Sequence, residues 1–215
     1  YLTSMIESML NTRLEELTQK ADAPFIQAFA GDGDYLLSKT KGAFMGIAAA
    51  KEDGILTATE ALMREIERVR QFGFTASEYA RAKADYLRSL EVAYNERDKQ
   101  RTNSYVKEYV RHFIDNEPIP GIENEYPLMN QIVPNIPVEA VNQVVKQLIQ
   151  EKNIALSVFC PEKEGMKYPT EAELKAVIDK VKAEKLEPYV DKVSNEPLLK
   201  EKPQAGKAVK TEQGP

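Results

Sequence analysis

The chain has 215 residues, 29 basic and 34 acidic side chains, and a net charge of −5. That acidic balance argues against a nucleic-acid surface, which gathers a basic excess on one face, and no apolar run approaches the roughly 18–20 residues of a membrane span. A single histidine, His112, and a single cysteine, Cys160, exclude an intrachain disulfide, a thiolate cluster and a self-contained zinc catalyst.

Leu2, Met5, Ile6, Met9, Leu10, Leu14 and Leu17 recur at three- and four-residue steps and predict an amphipathic helix that ends before Pro24. Residues 25–30 are expected to be extended, Gly31-Asp32-Gly33-Asp34 to form a turn, and 35–37 and 43–50 to be further strands. The last of these is almost uniformly apolar, so burial on both faces is expected. Its small residues, among them Ala43, Gly46 and Ala48, predict that helices pack close to it. Helix then dominates. One helix runs through Leu56, Leu62, Ile66 and Val69 and stops at Gly73; Thr75 with Glu78 makes a capping box that opens the next. That pattern continues through Leu87, Leu90, Tyr94, Tyr105, Tyr109 and Phe113 to about Asn116. A short helix over 123–132 precedes another through Val141, Val144, Val145 and Leu148. Residues 154–160 read as a β-branched strand, and 170–182 as a helix through Leu174, Val177, Ile178 and Val181. From Pro188 onward Pro, Lys and Glu prevail, and 203–215 reads as an interdomain linker or disordered tail.

These elements predict an α+β fold, with helices covering one face of a sheet. So few strands make a thin sheet, and the missing ones are expected upstream of Tyr1. The chain opens without Met inside a helical pattern, as an excised fragment would.

Candidate chemistry is sparse. His112 has neither His nor Cys at a three- or four-residue step and reads as a half-buried helix residue. Asp32 and Asp34 lack the closing Glu of a calcium loop, since Ala43 stands at its twelfth position, and Gly31 and Gly33 lack the third glycine of a phosphate cradle. Arg97, Lys99, Arg101, Lys107 and Arg111 interleave with Tyr94, Tyr105 and Tyr109, but Glu91, Glu96, Asp98, Glu108 and Asp115 dilute that stripe into a solvated helix face. Cys160 reads as a small core residue. The chain has the residues of a scaffold.

Taken together, several segments resemble the second domain of the pitrilysin/insulinase family of zinc metallopeptidases. They are Met9-Leu10-Asn11-Thr12-Arg13-Leu14-Glu15-Glu16-Leu17, Ala23-Pro24-Phe25, Arg68-Val69, Gly73-Phe74-Thr75, Glu78 with Arg81-Ala82-Lys83, Glu123-Asn124-Glu125-Tyr126, Ile132-Val133-Pro134-Asn135-Ile136-Pro137 and Val141-Asn142. The resemblance spans roughly residues 1–160. It implies a two-layer sandwich with helices packed on one face of a mainly antiparallel sheet, the mitochondrial processing peptidase-like metallohydrolase fold, here N-terminally truncated. Residues 1–165 would be the inactive peptidase-like domain, and 166–215 a helical extension and linker.

In that family four such domains close around a chamber. The first carries His-x-x-Glu-His and a distal Glu, whose zinc lowers the pKa of a bound water to about 7 for attack on a peptide carbonyl. The second has lost the metal. This chain has no such motif, and residues 14–20 lack the Arg and Tyr of the fourth domain. The resemblance therefore implies a chamber-wall and substrate-positioning domain with zinc only in the parent protein. Its partners would be the zinc-bearing first domain, the second half of the same polypeptide, and peptides. An edge strand at Gln27, Ala28, Phe29, Ala30 and Gly31 would anchor substrate by strand addition. An exposed sheet edge also offers a route to a dimer. A bacterial periplasm or cell envelope is the implied location. The competing reading is a non-enzymatic adaptor or core-like subunit.

Overall fold

The first apolar stripe does what its period dictates. Leu2–Thr18 forms α1 and buries Met5, Ile6, Met9, Leu10 and Leu14 in the core of the computed structural model, which describes residues 1–35, 38, 40–193, 199 and 206. Two strands follow, β1 (Gln27–Asp34) and β2 (Gly42–Ala49), paired antiparallel from Gln27 opposite Ala49 to Asp34 opposite Gly42. The helices α2 (Ile55–Phe72), α3 (Ala76–Asn95), α4 (Thr102–Asp115), α5 (Ile122–Ile132), α6 (Val138–Leu148) and α7 (Glu171–Ala183) complete the order. The result is helix-rich α+β with a small two-stranded antiparallel sheet among the described residues.

Local chemistry sets the helix ends. Gly73 closes α2 at φ +70°, where a side chain is strained. Thr75 accepts from the Glu78 N–H while Glu78 reaches back to the Thr75 N–H, the capping box that opens α3. α1 packs against β1, α2, α3 and α6, and α2 lies behind β2. A Cβ at Gly46 would stand 2.7 Å from Ile66 Cδ1 and 3.3 Å from a Leu62 methyl, so the expected close helix approach is real.

Five expectations are corrected. Gly31-Asp32-Gly33-Asp34 is not a turn but the second half of β1, with Asp32 opposite Phe44; glycine accepts extended backbone as readily as a turn, and the cross-strand partner decides. The strand expected at 43–50 is not buried on both faces, because Ile47 is 62% exposed. Residues 154–160 form no ladder and are exposed, since no described segment pairs with them. His112 and Cys160 are exposed rather than half-buried or in the core. Leu36 and Leu37 and, except for Gly206, the expected tail at 203–215 lie outside the described residues.

The segment after α7 is tied to the body as far as Asp191, three residues into the stretch where Pro, Lys and Glu prevail. α7 buries Val177 and Val181, and Lys180 binds Glu60 on α2 at 2.8 Å. Leu186 is buried, Arg68 Nε donates to the Glu187 carbonyl (3.1 Å), and the Tyr189 ring lies 4.2 Å from the Arg13 guanidinium carbon. Arg81 grips both oxygens of Asp191 at 2.8 and 3.0 Å, and Ser77 donates to the same carboxylate.

Arg81, with help from Ser77, holds the Asp191 carboxyl below its ordinary 3.8. A carboxylate lowered in the folded state stabilises fully above its unfolded pKa, and that contribution disappears as pH falls through the folded value. The Asp191 tether is therefore expected to hold above pH 3.8 and to release only below it. Side-chain NMR titration should place the Asp191 midpoint under 3.8 and return it toward that value in Arg81→Ala. A midpoint unmoved by the substitution would refute the tether.

Candidate functional site

The hairpin carries the residues singled out in the sequence. The Tyr35 N–H donates to the Lys41 carbonyl at 2.7 Å, which fixes the odd-numbered residues of both strands as those bonded across the ladder. Even-numbered residues therefore turn their N–H and C=O groups outward, to the two edges. On the outer edge of β1, Asn11 of α1 uses its whole amide. Its Nδ2 donates to the Ala30 carbonyl (2.9 Å) and its Oδ1 accepts from the Ala30 N–H (2.8 Å). Glu7 Oε1 accepts from the Asp32 N–H at 2.8 Å. Among the candidate residues the outward pair at Ala28 has no described partner, whereas the pair at Ala30 is taken.

The two sheet faces differ. One rests on the helices. The other carries Phe29 and Ile47, directly opposite each other across the ladder and 55% and 62% exposed. The Phe29 ring lies along the strand, with two of its carbons 3.1 Å from where a Cβ on Gly31 would stand. This is an apolar surface with a strand edge beside it.

Among the described residues no nucleophile or proton-transfer pair faces it. His112 lies on α4 with Nδ1 2.5 Å from the Glu117 carbonyl oxygen, and Cys160 lies beyond α6 beside Val158 and Tyr168. Among the described residues no three His, Cys, Asp or Glu side chains converge as metal ligands. Sequence reasoning missed Asn11 and Glu7. The available signal was a polar Asn between Leu10 and Leu14 on a helix whose neighbouring positions are buried. It missed Ile47 because an unbroken apolar run does not say which side is open.

Comparison with known proteins follows the same lines. No family model matches. Over 83 residues, 39% of this chain and 9% of the relative, the sequence is 35% identical to a zinc protease PQQL-like protein of Arabidopsis thaliana. The periplasmic protease PqqL of Escherichia coli superposes with a TM-score of 0.69 at 22% identity, over 92% of this chain and 22% of that one. Its first half, solved separately, gives 0.66 at 20% identity, over 87% of this chain and 40% of that one. A predicted insulinase family protease of Yersinia pestis gives 0.69 at 12% identity, over 85% of this chain and 38% of that one. The chain thus has the fold of insulinase-type proteases. It resembles the pitrilysin/insulinase family of zinc peptidases in fold and in sequence alike. It spans about a tenth of the length of the Arabidopsis relative and about a fifth of PqqL.

Proposed function

We propose that this chain is the non-catalytic second domain of a zinc-dependent metalloendopeptidase that degrades peptides, forming chamber wall and positioning substrate. The observation that carries this reading is the one-sided sheet: helices cover one face and leave the opposed Phe29 and Ile47 side chains bare. The finer fold description is part of the proposal, a two-layer sandwich truncated at its N-terminal side, with residues 1–165 as the peptidase-like domain and 166–215 as extension and linker. The match to the first half of PqqL supports a place there, next to a zinc-bearing first domain and facing a second half. A periplasmic or cell-envelope location fits the same neighbour. No described helix is long and apolar enough to cross a membrane.

Among the described residues no set of potential ligands converges, and this reading assigns the zinc to another domain of the parent protein. The part assigned to Gln27, Ala28, Phe29, Ala30 and Gly31 is strand pairing with the amino-terminal side of a bound peptide. The open backbone pair at Ala28 would engage first, and engagement at Ala30 requires the Asn11 amide to withdraw.

A second reading, an assembly module without enzymatic function, draws on α4. That helix exposes Val106, Tyr109, Val110, Phe113 and Ile114 along one stripe, and Phe113 is 90% exposed. Zinc content and chelator-sensitive cleavage of a mixed peptide library separate the two, measured on the full natural polypeptide and on this chain in parallel. The peptidase reading expects stoichiometric zinc and cleavage in the longer protein alone. Neither zinc nor cleavage in either sample would move the function to assembly. Zinc-dependent cleavage by this chain, abolished in His112→Ala, would overturn the non-catalytic assignment.

A further inference from the structure

The outward groups of β1 are not open along its length. At one end the Ile26 N–H turns inward and bonds the Ala49 carbonyl (2.8 Å), so that donor is closed to an incoming chain. At the other, the Asn11 amide holds both the N–H and the C=O of Ala30, and Glu7 takes the Asp32 N–H. An asparagine amide that donates and accepts at one residue reproduces the bonds of a neighbouring strand. Ala30 has no exposed surface. Between Ile26 and Ala30, Ala28 is left as a slot one residue long, which offers a single N–H and a single C=O.

We propose that Asn11 is a built-in competitor for substrate: its amide stands where an incoming peptide would pair with Ala30, and it withdraws when a longer peptide does so. This rests on the reading of β1 as a substrate-positioning strand. The competing ligand is an extended peptide backbone, because only a backbone presents a donor and an acceptor at the strand repeat. With Asn11 in place, a peptide that reaches Ala30 exchanges two existing hydrogen bonds for two new ones and gains little from them. Each neutral hydrogen bond shifts an equilibrium by a factor of roughly two to ten, so the exchange weakens binding about tenfold relative to an open edge. The same contact shields the strand between encounters, since a bare edge pairs without discrimination. Asn11 can withdraw without unravelling the core. It is only half-buried on α1, whereas Leu10 and Leu14 to either side are fully buried and hold the helix in place.

The test uses the full natural polypeptide with a chelator present, so that binding is read without cleavage. Two labelled peptides of alternating valine and threonine are compared by fluorescence anisotropy. One is too short to reach past Ala28, and the other is long enough to span Ala28 to Asp32. Asn11→Ala is expected to tighten the long peptide about tenfold and to leave the short one unchanged. N-methylation of alternate amides in the long peptide should abolish the gain, which a loosened fold or a stickier surface would not do. Asn11→Asp keeps the size and the acceptor for the Ala30 N–H but loses the donor to its carbonyl. It should tighten the long peptide as well, and it carries the test if the alanine variant does not fold. Unchanged or weaker binding of the long peptide in a folded variant would overturn the inference and make Asn11 a fixed clasp. A gain that survives N-methylation would overturn it too. Equal binding by wild type and variants defeats this inference alone, whereas no peptide binding by any of them defeats the substrate-positioning reading itself.

Discussion

Arg13→Met is expected to destabilise the chain by about 3–5 kcal/mol, the range for removing one partner of a buried ion pair. Arg13 rises from the inner face of α1 and is 2% exposed; Glu78, in the first turn of α3, is 5% exposed. The pair is bidentate, with Nε to Oε1 at 2.6 Å and Nη2 to Oε2 at 2.9 Å, and Nη2 also donates to the Gly73 carbonyl at 3.1 Å. The guanidinium lies between the rings of Phe74 and Tyr189, 4.9 and 4.2 Å from their centroids, which compensates an Nη1 without a described hydrogen-bond partner.

Methionine fills similar volume but strands the Glu78 charge in the core, and Tyr189 loses the cation it stacks on. Arg13→Lys should recover little, because an ammonium cannot span both carboxylate oxygens. Urea unfolding of Arg13→Met, Glu78→Gln and the double variant checks this. The double variant should cost markedly less than the sum, since the second change removes the charge that the first exposes. A loss below about 1 kcal/mol in Arg13→Met would show the pair to be no better than a surface contact.

The same residues mark what the sequence could and could not disclose. The capping box of Thr75 and Glu78, the stop at Gly73 and the stripe of α1 are set within a few residues, and each was legible. That Glu78 also serves Arg13, 65 positions earlier, was not, because nothing in a capping motif reports the charge placed above it. Tyr189 and Asp191 fall in a stretch where Pro, Lys and Glu prevail and no period marks them for docking, yet they dock because Arg13 and Arg81 wait on α1 and α3. The segment 154–160 has the pattern of a strand, but a strand is a relation between two segments and no described one lies against it. Likewise Asn11 could not be seen as an edge cap until β1 lay beside α1. The open face was half legible: the apolar residues of the hairpin were plain, and the choice of covered side was made by α2 through Gly46.

Gly73→Ala is the second large effect, expected at about 2–5 kcal/mol from backbone strain together with lost hydrogen bonds. Gly73 stands at φ +70° and ψ −156°, a region that only glycine occupies freely. A Cβ there would lie 2.5 Å from Cγ and Oδ1 of Asn142. Asn142 cannot yield without loss, because its Oδ1 accepts from the Phe74 N–H (2.8 Å) and its Nδ2 donates to the Phe74 carbonyl (3.1 Å). Its amide thus locks the α2–α3 junction to α6, and the same junction presents the Gly73 carbonyl to Arg13. The two contributions can be separated. In an Asn142→Ala background the colliding amide is gone and its bonds are already lost, so adding Gly73→Ala should cost only the strain of about 1–3 kcal/mol. Equal costs in the two backgrounds would mean that Asn142 is a bystander. A smaller cost in the Asn142→Ala background would show that the Asn142 amide is what ties the α2–α3 junction to α6.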